Sequence, residues 1–283
     1  MYVNSSHPAS RSSVTNRVLR VAAVHTDIVT DTPNYTIDAT ETSLDLLETL
    51  VESAAPMGVT ALADRLDVSK SVVHNHLSTL RARGYVVKRD SRYEPSLRPL
   101  DIGSRTRATL PVYQAARHHL DNLAAAADET TVLFVLEAQS GVPVYIAEAS
   151  EGWSPQFHEG ERLPLHVNAP GKAILASLSE DRVDDVLDET DLVAPTSATI
   201  TEPDELKTAL RGVRDDAVAF CRGEQYEGIV GVATPVTNDD ADTVAALGVC
   251  GPVDRLSGRY LEEDITGQVL STAKSIQVDL TGQ

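Results

Sequence analysis

The sequence is poor in aromatic and thiol side chains: its 283 residues include three Phe, one Trp and two Cys. Cys221 and Cys250 lie far apart and in no paired-ligand spacing, which excludes a disulfide scaffold and a zinc knuckle. Lysine is scarce too, occurring at positions 70, 88, 172, 207 and 274. No run approaches the roughly 18 consecutive apolar residues that span a bilayer, so no membrane contact is expected. The N-terminal stretch has an apolar patch broken by Arg20 and His25 and no small-residue cleavage site, which makes the cytoplasm the expected location. What is abundant is carboxylate: 42 Asp and Glu against 24 Lys and Arg give a net charge of -18. With so few lysines, that excess suits the cytoplasm of a halophile, where carboxylates keep a protein hydrated at high salt.

The charge is unevenly spread. Residues 1–57 hold 3 basic and 7 acidic side chains, 58–98 hold 8 and 4, and 99–283 hold 13 and 31. The middle segment is a basic island in an acidic chain, the electrostatic footprint of a small nucleic-acid-binding module.

Residues 1–38, rich in Ser, Thr, Asn and Asp without periodicity, read as a disordered extension. From Thr40, "TETSLDLLETLVES" places Leu44, Leu47, Leu50 and Val51 on one helical stripe. After "APMG", Thr60 is placed to cap a second helix with Leu62 and Leu66 inward; "DVS" makes a turn and Ser69 caps a third helix. On that helix Val73, Leu77 and Leu80 gather on one side, and Ser71, His74, Asn75, Ser78 and Arg81 on the other. "GYVVKRDSRYEP" follows as an extended pair turning near Asp90 and Ser91. Residues 39–98 therefore read as a winged helix-turn-helix that binds double-stranded promoter DNA. His74 and Asn75 suit base edges, with Arg81 on the same face. Ser69, Lys70, Ser71 and Ser78 suit phosphates, and Lys88, Arg89 and Arg92 the flanking backbone or minor groove. His76 falls nearer the apolar side and is expected to pack.

"SLRPLDIGSRTRATL" reads as a linker before a helix over Pro111–Ala127. Strand-like runs follow at Thr131–Glu137, Val142–Glu148, Val218–Cys221, Ile229–Val236 and Thr243–Val249, with helices near 171–178, 180–188, 203–216 and 261–276. Residues 99–283 so form an α+β domain on a mainly antiparallel sheet. "HVNAPGK" opens a helix whose exposed N–H groups suit a small oxyanion, and Lys172 either adds charge there or faces solvent. It is no phosphate-binding P-loop, because His166 and Ala173 stand where the first Gly and the Ser or Thr belong. "FHEGERL" fails as a zinc-protease motif, since Arg162 replaces the second His; His158 and Arg162 either close over a ligand or belong to a surface loop.

"GVTALADRLDVSKSVVHNHLSTLRARGYVVKRDSRYEPS" resembles the DNA-binding domain of IclR-type regulators, the isocitrate lyase regulator family. "LPLHVNAPGKAILAS", "EGIVGVATPV" and "AALGVCGPVDRL" are similar to that family's C-terminal loop, helix and last strands, in the expected order over residues 39–280. The resemblance implies a GAF-like α/β effector-binding domain, with Asn168, Ala169, Pro170, Cys221, Gly231, Gly248 and Cys250 at ligand-contacting positions. It implies a transcription regulator controlled by a small organic or sugar acid of a catabolic pathway. Such a regulator is no enzyme, carries no cofactor or metal, and acts as a homodimer or homotetramer. The competing reading is a cysteine-dependent enzyme or thiol sensor using Cys221 and Cys250.

Overall fold

The computed structural model describes residues 35–149, 153–237 and 244–281. Residues 1–34 of the expected extension lie outside these, and Asp38 already opens the first helix, α1 (Asp38–Glu52). The side chains that α1 buries are Leu46, Thr49 and Leu50; Leu44 and Val51, expected inward, are 52% and 60% exposed. Leu46 and Leu50 stand one helical turn apart on the side that packs against Val73 and Leu77, and Leu44 and Val51 are rotated away from it.

"APMG" contains a two-residue strand, β1 (Met57–Gly58), too short to announce itself in sequence. Gly58 then caps α2 (Val59–Leu66) in an extended conformation without a side-chain bond, so Thr60 lies inside the helix rather than at its cap. α2 ends where Asp67 turns left-handed, and α3 (Lys70–Ala82) starts at Ser69, whose Oγ accepts from the Val72 N–H at 3.2 Å. Strands β2 (Val86–Arg89) and β3 (Arg92–Pro95) are joined by Asp90 and Ser91, both at positive φ, as a two-residue hairpin with the sheet's twist requires. β3 lies between β1 and β2, which makes the wing three-stranded. Tyr93 anchors it to the helices.

The expected linker is itself a helix, α4 (Arg98–Ala108), with Pro99 and Asp101 in its first turn and Arg105 and Arg107 in its last. It buries no residue. α5 (Pro111–Ala127) follows as expected.

The second sheet comprises β4 (Thr130–Glu137), β5 (Ser140–Ala147), β6 (Leu163–Pro164), β7 (Ala219–Arg222), β8 (Ile229–Val236) and β9 (Ala245–Pro252). It is antiparallel throughout, in the order β6-β5-β4-β9-β8-β7. Thr243, the expected start of β9, lies outside the described residues. Alternation along β4 divides the domain: Leu133 and Val135 face α5 and α9 (Thr266–Thr281), while Val132 and Phe134 face α6 (Ala169–Ser177), α7 (Glu180–Glu189) and α8 (Pro203–Asp216). α9 begins later than its periodicity suggests, because Tyr260–Ile265 form a wider π turn before it. Helices on both faces of an antiparallel sheet give the GAF-like build, and α6 lies across β8 and β9. No described helix is long and apolar enough to cross a membrane.

Candidate DNA-reading face and ligand cavity

On α3, Ser69, Lys70, Ser71, His74, Asn75, Ser78 and Arg81 are all exposed, while Val73 and Leu77 are fully buried beneath them. The two-sided pattern is thus realised in three dimensions. His76 is turned into the module, its Nδ1 2.7 Å from the Ser43 hydroxyl of α1. The wing arginines are more engaged than their residue type announces. Arg89 pairs with Glu94 at 2.9 Å, Arg92 donates to the Pro56 carbonyl at 3.0 Å, and the Lys88 ammonium lies 5.4 Å from the Tyr93 ring centre. Arg89 keeps 77% of its side chain in solvent.

In the C-terminal domain a narrow cavity separates the start of α6 from β4, β7, β8 and β9. Asn168, Ala169, Pro170, Cys221, Gly231, Gly248 and Cys250 all line it. In the ladder, Gly231 pairs with Cys221 on one side and Cys250 on the other, so a missing side chain separates the two thiols. A β-carbon on Gly248 would stand 2.9 Å from the Val232 carbonyl oxygen and 3.2 Å from Pro170 Cγ, which explains how α6 lies so close to the sheet. Sequence reasoning missed the aromatic wall. Trp153 and Phe157 come from the loop after β5 and Tyr226 from the loop after β7; Trp153 meets Tyr226 at 5.9 Å, and Phe157 meets Phe134 edge-on at 5.8 Å. These loops carry no periodicity, and the one available signal was the rarity of aromatics in the chain. About 30 Å³ of the cavity is clear enough of every atom to seat the centre of a water molecule.

Two expectations are corrected here. The start of α6 is not an open oxyanion cradle: Asn168 Oδ1 accepts from the Gly171 N–H at 2.8 Å, and Pro170 has no N–H, so the helix end offers a ligand at most the Ala169 N–H. Lys172 neither faces solvent nor brings free charge. It is 4% exposed, and its ammonium donates to both carboxylate oxygens of Glu224 at 2.7 Å. Fifty-two residues separate the pair, so no local pattern could find it. Around it, Thr196 and Thr199 donate to the carbonyls of Gly223 and Glu224, each at 2.7 Å. His166 donates through Nε2 to the Val193 carbonyl at 2.8 Å; burial lowers its pKa, against the opposing pull of that bond, so the ring is neutral.

Both thiols are protonated at neutral pH. Burial pushes Cys221 up, and its Sγ donates to the Val167 carbonyl at 3.4 Å; burial pushes Cys250 to about 12. Neither is an activated nucleophile. His158 is 81% exposed and Arg162 pairs with Glu137, which puts both on the outer surface rather than over the cavity.

A winged helix with an exposed polar reading face, joined to a sheet domain holding a small cavity, is the build of a ligand-controlled DNA-binding regulator. The comparisons give the family. Residues 39–90 match the IclR helix-turn-helix domain and residues 105–278 the bacterial transcriptional regulator IclR C-terminal domain, and the chain belongs to the IclR family of transcriptional regulators. It is not an enzyme family. The chain is 27% identical over 227 residues to the HTH-type transcriptional regulator XynR of Escherichia coli, covering 80% of this chain and 90% of that one. It superposes on the crystal structure of a transcriptional regulator from Rhodococcus sp. RHA1 with a TM-score of 0.78, at 26% identity, over 87% of this chain and 99% of the other. An IclR homologue from Microbacterium hydrocarbonoxydans, complexed with 4-hydroxybenzoate, shares the fold at 20% identity and a TM-score of 0.74, over 87% of this chain and 100% of that one.

Proposed function

We propose that this regulator reads an operator through His74 and Asn75 and that its affinity for DNA is set by a small, flat, largely apolar acid held between α6 and the sheet. The observation that carries the DNA reading is the exposed polar face of α3, inside the one basic segment of an acidic chain. For the effector, the support is the wall chemistry. Phe134, Trp153, Phe157 and Tyr226 dominate over the few polar groups of Asn168, Gln225 and the two thiols. That lining favours a single-ring acid over a sugar acid, whose several hydroxyls would go unpaired. The bound 4-hydroxybenzoate of the Microbacterium homologue points the same way.

One module makes too few contacts for operator affinity, so two copies present their α3 helices to a pseudo-palindromic site, in a dimer or a pair of dimers. Leu44 and Val51 on α1, with Leu97 just before α4 and Leu100 and Ile102 on it, supply exposed apolar surface for a second copy. The protein acts in the cytoplasm, where its DNA is. In high salt, where counterion release contributes little, base-edge contacts carry more of the recognition.

Gel retardation of the DNA upstream of the protein's own gene tests the reading. Asn75→Ala should lose about 1–3 kcal/mol on that DNA and much less on random DNA. An equal loss on both removes Asn75 from base reading.

A further inference from the structure

We infer that Glu159 and Arg107 form a latch that transmits occupancy of the cavity to the DNA-binding domain, an inference that rests on the regulator reading above and goes beyond it. The segment from Trp153 to Arg162 faces two ways. Inward, Trp153 lies against Tyr226, and Phe157, 7% exposed, meets Phe134. Two residues after Phe157, Glu159 reaches outward: its Oε2 pairs with Arg107, and its Oε1 accepts from the Ile146 N–H of β5 at 3.3 Å.

Arg107 sits in the last turn of α4, the helix that leaves the winged module. Its guanidinium also donates to the Val144 carbonyl at 3.3 Å and lies 4.7 Å from the Tyr113 ring centre. α4 buries nothing of its own, and its Arg107 side chain hydrogen-bonds both β5 and the cavity loop. The pair is partly shielded, with Arg107 26% and Glu159 37% exposed, which lifts it above an ordinary surface ion pair.

The walls differ in how far they yield. Backbone and glycine contacts fix the sheet and α6, and the loop bearing Tyr226 is held by the Lys172–Glu224 pair and the Thr196 and Thr199 hydroxyls. The Trp153–Phe157 side has no ladder and is held by single bonds: the Thr130 hydroxyl of β4 donates to the Trp153 carbonyl, the Ser154 hydroxyl to Glu148 at 3.2 Å, and, beyond Phe157, the Gly160 N–H to the Pro143 carbonyl at 2.8 Å. With about 30 Å³ of clear space, a ring-sized ligand enters only by displacing a wall, and this is the wall that gives. Moving Phe157 moves Glu159, and with it the anchor of α4.

Linkage makes the latch testable without the effector, because DNA binding must act back on the cavity. Trp153 is the chain's only tryptophan, so intrinsic emission reports the cavity wall. The probe is the duplex upstream of the protein's own gene. Saturating it should shift the emission of the wild type. In Glu159→Gln and in Arg107→Met the shift should disappear while gel retardation persists. The charge swap Arg107→Glu with Glu159→Arg should restore it, which a merely structural role would not do. A shift that survives in both single variants overturns the latch, as does an unshifted wild type that is visibly retarding DNA. No retardation by the wild type overturns the regulator reading itself and takes the latch with it.

Discussion

Helices α3 and α6 start in the same way, each with a side-chain oxygen taking the third N–H: Ser69 Oγ for Val72 and Asn168 Oδ1 for Gly171. Beyond the cap they diverge. α3 buries Val73 and Leu77 and leaves a polar face in solvent, whereas every residue of α6 from Ala169 to Ala176 is buried. A lysine stands near the start of both, yet Lys70 is exposed and Lys172 is locked onto Glu224. The same local chemistry thus yields a helix with an open polar face in one domain and a buried scaffold in the other, and burial decides between them.

Substitutions in the two helices sharpen the contrast. The largest effect is expected at Gly171, where a β-carbon would collide with the Leu165 carbonyl oxygen. Gly171→Ala should cost more than about 4 kcal/mol in thermal unfolding, while Ser71→Ala on α3 should stay within about 0.5 kcal/mol. Next, Lys172→Met strands the Glu224 carboxylate and should cost about 3–5 kcal/mol, much of it recovered when Glu224→Leu is added. Lys70→Met should leave stability alone, weaken binding to any DNA and reduce the salt slope by about one unit. If Lys172→Met melts like the wild type, the two lysines are not the opposites described. The smallest expected difference is at the caps: Ser69→Ala and Asn168→Ala should each cost about 0.5–2 kcal/mol, the buried Asn168 more, and Ser69→Ala alone should also weaken DNA binding.

Much of this was legible because it is periodic or local. The two faces of α3, the Ser69 cap, the Asp90–Ser91 turn, β8 and α8 all follow from spacing within a few residues. The misses have physical causes as well. α4 was hidden because Pro, Gly and Thr dilute "RPLDIGSRTRA" and no apolar stripe marks a helix that buries nothing. Leu44 and Val51 looked internal because an apolar residue's partner is set by the tertiary fold, not by its hydropathy. The glycines, cysteines and helix start of the cavity came through the family resemblance, whereas Trp153, Phe157, Tyr226 and the Lys172–Glu224 pair are united by topology alone.

The two floor glycines also set how the cavity can change shape. A single base change converts a glycine codon to alanine, but the outcomes differ. At Gly231 the new methyl would meet the Val249 carbonyl at 3.2 Å and Cys250 Cβ at 3.3 Å, so β8 and β9 would have to part by a few tenths of an ångström. At Gly248 it would press on a carbonyl and on Ala233 at 3.0 Å, pushing α6 off the sheet. Alanine is therefore the milder change at Gly231, where the sheet alone must adjust, and the harsher one at Gly248, where α6 must move as well.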